Sequence, residues 1–485
     1  MGDRKPQVTR RSVRLEADQK RVIARLFVPG GESRVGAILD RVLALSDTEV
    51  SSILARVFDR YSSRHRDVTS TLDRHYEAVA AQLNGRVPVS LERRRLIGAY
   101  FTSEYSLESV ALFNPSIVLH PDQQGVNNGS ARFIISLRVC GEGHISSIEF
   151  RSGVIDSSHE ITFDPVPPYA AVEYPHEHHL HDKNRFYLKL NEMGAYSRLA
   201  DRVLTNLSDE FTLAELQQAL EKAHLMHGGT DSIRELVENI LWVARSTYSL
   251  EFPPDSAISE RVIFPVTENE SRGIEDARFV RFTHDNGRVV YYATCTAYNG
   301  FRILPQFIET ENFLYFRVNT QNGRCAQNKG MALFPRKIQD RFVMISRIDG
   351  ENIYMLRSDD IHFWNEAEKI HGPSHPWEYV QIGNCGSPIE TKEGWLLLTH
   401  GVGPMREYWM GALLLDLEDP SRVIGHLKDP ILMPNNEERD GYVPNVVYSC
   451  GGMIHHDELI IPYGISDSAT GIATVPVSEL LSHLI

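Results

Sequence analysis

Residues 272–279 read RGIEDARF, between RVIFPV at 261–266 and the runs FVRF at 279–282 and VVYYATCTAY at 289–298. Both flanks are rich in β-branched and aromatic residues, the composition of buried strands. Four charges, Arg272, Glu275, Asp276 and Arg278, therefore stand where two strands should meet. One reading is a polar turn in which Asp276 pairs with Arg278, the common fate of neighbouring unlike charges. The other is a carboxylate held among bases for chemistry. The rest of the chain has to separate them.

Downstream of 255 the chain is a succession of short strand-like runs divided by Gly, Asp, Asn and Pro turns, among them NFLYFRV, NIYMLRS, GWLLLTHG and ELIIPYG. Such spacing fits a sandwich, a barrel or a propeller. The repeated order of strand, tight turn, strand and then a Ser-x-Asp…Trp element, clearest in SDDIHFW at 358–364, points to similar blades. A propeller gathers loops from every blade around one axis, which would bring distant charged loops into one pocket. Upstream, FNPSIVLHP (113–121), ARFIISLRVC (131–140) and HISSIEFRSGVI (144–155) also read as strands, the last two joined by GEG.

Two regions carry helical spacing instead. Within 1–110, a leader precedes apolar residues at Ile38, Leu39, Val42, Leu43 and again at Ile53, Leu54, Val57, Phe58, with LSDTE between as a turn. Residues 190–250 read as a helical insertion. Both are expected to serve packing or a homo-oligomer. Between them, PVPPYAAVEYPHEHHLHDKNR (165–185) reads as a loop with His176, His178, His179 and His181. Four histidines are potential zinc ligands, but no Cys or well-spaced carboxylate completes a tetrahedral set, so a polar loop at a pocket mouth is expected and no metal.

Composition narrows the function. A net charge of −14 argues against a general nucleic-acid binder while leaving room for a small basic pocket. Five cysteines, an odd number without a CxxC pair, fit reduced thiols and a cytoplasmic location. No apolar leader and no run long enough to span a membrane is read. Neither a P-loop nor a glycine fingerprint between strand and helix occurs, so no nucleotide cofactor is implied.

Seven stretches, in order RGIEDARF, NKGMALFPRKI (328–338), FVMISR (342–347), SPIETKEGWLLLTHGV (387–402), GALLLDLEDPSRVIG (411–425), ERDGYVPNVVYSCGG (438–452) and YGISDSATGIA (463–473), together resemble glycoside hydrolase family 130. The resemblance covers roughly 111–485, interrupted by the insertion. It implies a mainly β fold, a five-bladed β-propeller catalytic domain at 111–485, with the N-terminal helical region at 1–110 and the insertion at about 190–250 as additions. It implies inverting phosphorolysis of β-mannosides: oligosaccharide and phosphate give α-mannose 1-phosphate and a shortened acceptor. Inorganic phosphate is then a co-substrate, and no cofactor or metal is needed.

Carried over residue by residue, Asp276 matches the family's catalytic acid, with Glu275 and Arg278 orienting it and Ala277 where the family motif has proline. Lys329, Arg347 and His400 match phosphate-binding positions, and Arg406 and Tyr408 fall in the same region. Asn114, Arg138 and Asp467 match sugar-facing positions. On residues alone, Lys329 and Arg347 are equally solvated strand ends, and His400 a satisfied core histidine. Trp364 and Trp377 are candidates for stacking on sugars, with blade packing expected of Trp364. Glu390 stands where many family phosphorylases carry lysine. That departure keeps open a β-mannoside hydrolase of the same fold, with Glu390 or Glu438 as the base that activates water. A third alternative is a non-catalytic carbohydrate-binding or interaction propeller.

Overall fold

The computed structural model describes residues 6–80, 89–176, 179–193, 197–227, 231–301 and 303–484. The fold is mainly β. Its strand-rich runs form antiparallel meanders that follow one another along the chain. The first is Ala111–Leu119, Ala131–Cys140 and Ser146–Ile155. The second is Gly273–Thr283, Val289–Tyr298, Ile303–Thr310 and Tyr315–Thr320, edged by Tyr248–Glu251. A parallel pairing of Gly273 with Ser146 joins the two into one sheet. The third holds Ala332–Leu333, Phe342–Ser346, Ile353–Ser358 and Glu366–His371. The fourth holds Gln381–Asn384, Trp395–Val402, Tyr408–Leu415 and Val423–His426. The last contains Val447–Tyr448, Met453–His455, Glu458–Ile465 and Ala469–Pro476. No sheet closes on itself among the described residues.

Strand faces that point away from solvent must find another apolar face, and here each meander shares its core with the next. Phe150 and Ile134 of the first pack with Ile274 and Phe279 of the second. Phe282 and Tyr292 of the second meet Leu333, Met344 and Leu356 of the third. Ile345 and Met355 of the third meet Trp395 and Leu413 of the fourth. Leu398 and Leu414 of the fourth meet Leu459 and Val475 of the last. Finally Ile460 and Ile472 of the last meet Leu112 and Ile135 of the first. The Cys450 amide donates to Pro115 O (2.8 Å) and Thr470 Oγ1 to Leu112 O (3.0 Å) across that same junction.

The N-terminal region is not purely helical. Residues expected as a leader form the strand Thr9–Leu15, which pairs with Ala469–Pro476 and extends the last meander. Val22–Leu26 pairs with Thr102–Ser106 and brackets the helices Glu32–Leu43, Asp47–Tyr61, Val68–Ala80 and Leu91–Tyr100. RRSVRL alternates charge and apolar side chains, the pattern of a strand with one wet face, and its apolar members pack on the first–last core. LSDTE is the expected break between helices, and it also supplies a cap: Ser46 and Glu49 form a reciprocal capping box. The basic face of Leu91–Tyr100 is put to use, since Arg93 Nη1 donates to the carbonyls of Val42 and Leu45 (both 2.8 Å) at the end of another helix. Gly98 allows the close crossing of helices, because a Cβ there would lie 2.0 Å from Leu72 O.

The insertion consists of Lys183–Glu192, Arg198–Thr205, Leu213–His227 and Asp231–Arg245, with its own core around Phe186, Leu190, Phe211, Leu216 and Ile240. The helix Leu213–His227 starts on Thr212 and Glu215, each capping the other's amide. No helix among the described residues is long and apolar enough to cross a membrane.

Candidate functional site

RGIEDARF runs directly into the strand Gly273–Thr283 instead of forming a turn ahead of it. Glu275 pairs with Thr296 and Arg278 with Thr294, so three steps on one strand face two on the other. The extra residue is a β-bulge, and Asp276 sits in it with φ of 55°. The first meander carries a matching bulge: Phe113 faces Arg138 and Ser116 faces Ser136, with Asn114 at φ of 48° between them. Bulges re-aim side chains, and Asn and Asp are the side chains that best tolerate a left-handed backbone. The two bulges face each other, and Asn114 Nδ2 donates to Asp276 Oδ1 at 2.8 Å. Asn328 (φ 66°), Arg406 (φ 59°) and Asp467 (φ 51°) share this conformation on the remaining meanders or the loops beside them. Strained backbone of this kind concentrates at functional sites.

Cations surround the carboxylates. Arg138 Nη2 donates to Glu275 Oε1 (2.7 Å) and its Nη1 to Asp276 Oδ1 (3.4 Å). Lys329 Nζ donates to Glu275 Oε2 at 2.5 Å. Arg278, buried, donates from Nη1 to the Asp276 carbonyl (3.0 Å) and from Nη2 to Tyr448 Oη (2.6 Å). Burial by itself would raise the Asp276 carboxyl, but Arg138, Arg278, Lys329 and the Asn114 amide together hold it down to about 2. Asp467 behaves oppositely. Burial and the neighbouring Asp276 push it up to about 6, against the pull of Arg138 and Arg406.

The contacts close into a ring. Lys329 is followed by Gly330, where a Cβ would lie 3.8 Å from Arg347 Cβ. Arg347 Nη1 is 3.1 Å from His400 Nε2. An arginine can only donate, so His400 Nε2 accepts and the ring proton sits on Nδ1, which faces Cys385 Sγ at 3.8 Å. Burial, then the nearby Arg347 and Arg278, hold His400 well below its ordinary pKa, in keeping with that neutral form. His400 also meets the Tyr448 ring edge-on at 4.9 Å, and Tyr448 leads back to Arg278 and Asp276. Gly383 is needed here, because a Cβ would stand 2.6 Å from the His400 ring. Arg347 makes no ion pair among the described residues, and its Nε is buried without a partner. It is a guanidinium with donors to spare.

The structure thus gathers Asn114, Arg138, Glu275, Asp276, Arg278, Lys329, Arg347, His400 and Asp467 around one centre. Two sequence candidates lie elsewhere. Glu390 is exposed and held by Arg336 (2.7 and 2.9 Å), whose guanidinium stacks on Trp395. Glu438 is buried in a structural role, accepting from Arg10 (both 2.9 Å), from Tyr463 Oη (2.6 Å) and from the Asn435 amide. Trp364 and Trp377 are both buried, donating to Gln321 and to the Lys428 carbonyl, which makes them packing residues. Tyr408 stacks on His400 at 6.0 Å. Tyr448 is the site residue that sequence reasoning passed over, since a tyrosine in a strand reads as core. Of the histidine run, His178 lies outside the described residues. His176 turns to Glu251 (3.1 Å), while His179 and His181 line a cavity of about 470 Å³ between the insertion and Tyr315–Thr320.

Comparison with known proteins places the chain in a family. The profile of glycoside hydrolase family 130, described as β-1,4-mannooligosaccharide phosphorylase, matches residues 252–484. A 1,2-β-oligomannan phosphorylase of Thermoanaerobacter sp. (strain X514) is 36% identical over 219 residues, 44% of this chain and 72% of that protein. A β-1,2-mannobiose phosphorylase of Listeria innocua is 30% identical over 250 residues, 50% of this chain and 68% of that one. Among solved structures, the Listeria innocua β-1,2-mannobiose phosphorylase bound to β-1,2-mannobiose aligns with a TM-score of 0.47 at 18% identity, over 78% of this chain and 93% of its own. On the sequence matches, the chain belongs to glycoside hydrolase family 130.

Proposed function

We propose that the chain is an inverting β-mannoside phosphorylase on a five-bladed propeller. The cyclic sharing of cores, from first meander to last and back to the first, supports the propeller. The single observation that carries phosphorolysis is Arg347. A guanidinium with no carboxylate partner among the described residues, beside Lys329 and backed by a neutral acceptor histidine, suits a phosphate oxygen pair. A hydrolase needs a carboxylate base across from Asp276, and Glu390 and Glu438 are both committed to arginines away from it. Named relatives act on 1,2- and 1,4-linked β-mannosides, so both linkages are the substrates to try.

In this reaction a phosphate oxygen attacks the anomeric carbon opposite the leaving group. The new C–O bond forms as the glycosidic bond breaks, and the acceptor oxygen takes a proton that originates on Asp276, directly or through a sugar hydroxyl. A phosphate dianion against Lys329 and Arg347 places negative charge beside Asp276. That counters the cations holding it ionised and favours the protonated, donating form, and Asp276 regains through solvent the proton that hydrogen phosphate releases on becoming the ester. Asn114, Arg138 and Asp467 hold the sugar. His400, its Nε2 engaged, fixes Arg347 in place and leaves the phosphate contacts to Arg347 and Lys329. The reaction so written calls on no cofactor and no metal. The free, buried cysteines suit a cytoplasmic enzyme, and the helical additions suit a homo-oligomer.

The test is product release from β-1,2- and β-1,4-mannosides with and without inorganic phosphate. Mannose 1-phosphate formed only with phosphate is expected, and Asp276→Asn should lower turnover about 10²–10⁴-fold with sugar binding retained. Free mannose released at a phosphate-independent rate would overturn the assignment in favour of a hydrolase.

A further inference from the structure

We propose that His371, Glu378 and His426 form a zinc site that staples the outer edge of the third meander to that of the fourth, apart from the catalytic centre. One ligand atom from each lies within 4.8 Å of the others. His371 closes the strand Glu366–His371, His426 closes Val423–His426, and Glu378 ends the helical turn Pro376–Glu378 that sits between them.

Three unsatisfied atoms point to an ion. His371 Nε2, His426 Nε2 and Glu378 Oε2 are all buried without a hydrogen-bond partner. The Glu378 side chain is 0% exposed, and an orphaned buried carboxylate oxygen is too costly to be left without some counterpart. The other carboxylate oxygen is fully occupied: Glu378 Oε1 accepts from the Ser374 amide (2.7 Å), Ser374 Oγ (3.0 Å) and the His375 amide (3.0 Å). Ser374 Oγ also engages His426 Nδ1 at 3.2 Å, which leaves Nε2 as the ligating nitrogen. These outer contacts orient ligands in the way metal sites require.

The spacing suits an ion better than a direct contact. The nearest direct approach, His426 Nε2 to Glu378 Oε1, is 3.6 Å, beyond a good hydrogen bond, and it is made to the occupied oxygen, so Glu378 Oε2 stays without a partner. The His371 and His426 rings meet edge-on at 4.6 Å, each with its Nε2 free. Two imidazoles and a carboxylate are a zinc-type donor set. A water or His375, whose ring centroid is 4.6 Å from that of His426, completes four-coordination. The segment also backs the catalytic side: a Cβ at Gly401, next to His400, would stand 2.6 Å from Glu378 Cβ. The proposal does not rest on the phosphorylase reading, and its readout is metal content.

The full chain, freed of any histidine tag, is incubated with zinc sulfate, desalted and measured by elemental analysis, with zinc-edge absorption to identify ligands. About one zinc per chain is expected, with nitrogen and oxygen neighbours. The His371→Asn/His426→Asn double variant should fall below about a tenth of that. Chelation should lower Tm by a few degrees in the parent and leave the variant unmoved. If the double variant fails to fold, Glu378→Gln and the absorption spectrum of the parent decide. Zinc below about a tenth of an equivalent in the parent, sulfur neighbours from the buried cysteines, or full zinc in the variants would each overturn the assignment, the first in favour of a plain His–Glu cluster.

Discussion

Two clusters of arginines and carboxylates centre on the first two meanders, one joined by Arg21 and Glu108 and the other by Lys329 and Arg347, and are built on opposite rules. In one, Arg21 reaches Glu149 (2.7 Å) and Glu108 (3.3 Å), and Arg151 reaches Glu108 (2.6 Å) and Glu149 (3.0 Å). Two cations meet two carboxylates, and the spare donors of Arg21 go to the carbonyls of Ser259, Tyr169 and Pro167. In the other, Arg138, Arg278, Lys329 and Arg347 face Glu275, Asp276 and Asp467, and Arg347 makes no ion pair among the described residues. The balanced cluster ties the N-terminal segment to the first meander, its two cations matched by two carboxylates. The unbalanced one keeps positive charge and free donors, the condition for seating an anion. Charge count, more than burial, separates a structural ion network from a candidate site.

The largest effect should come from breaking the balanced cluster. Glu149→Ala leaves two buried guanidiniums sharing Glu108 alone. A loss of about 3–5 kcal/mol in denaturant unfolding is expected, as for other half-removed buried pairs. Unchanged stability would mean that the network is not what holds residue 21 to the meander. Next is Arg347→Ala, which on the proposed reading removes charge-assisted contacts to phosphate but, among the described residues, only one side-chain hydrogen bond, that to His400. KM for phosphate should rise about 10–100-fold while stability shifts by no more than about 1 kcal/mol. Equal loss in both variants of stability and phosphate use together would erase the distinction between the clusters.

Part of the candidate site was legible because it is local in sequence, while Asn114, Arg138, His400 and Asp467 were reached only through the family resemblance. Glu275, Asp276 and Arg278 stand in one eight-residue stretch, and Lys329 and Arg347 fall at the ends of recognisable strands. What could not be read were properties set by pairing partners. The bulge that aims Asp276 needs Thr294 and Thr296 opposite it. Tyr448 matters only because Arg278 and His400 arrive from other meanders. The strand Thr9–Leu15 was hidden behind its charge, since its alternation has meaning only once Ala469–Pro476 lies beside it. His371, Glu378 and His426 share no motif spacing. They are brought together by the adjacency of two sheet edges.

Glu390 carries the smallest expected effect and sharpens the comparison from outside both clusters. Its position in SPIETKEGW, where a lysine is usual in family phosphorylases, kept a hydrolase in play. In the fold its carboxylate forms a two-point contact with Arg336 on the surface, both side chains about two-fifths exposed at 42% and 41%. Exposed pairs of this kind contribute little even with good geometry. Glu390→Gln should therefore change stability by less than about 1 kcal/mol and phosphate-dependent turnover by less than about twofold. The measurement is turnover at saturating phosphate beside an unfolding curve. A large loss of turnover in a stably folded variant would place Glu390 in the chemistry after all. It would mean that positive surplus around Arg347 does not by itself identify the reacting anion's seat.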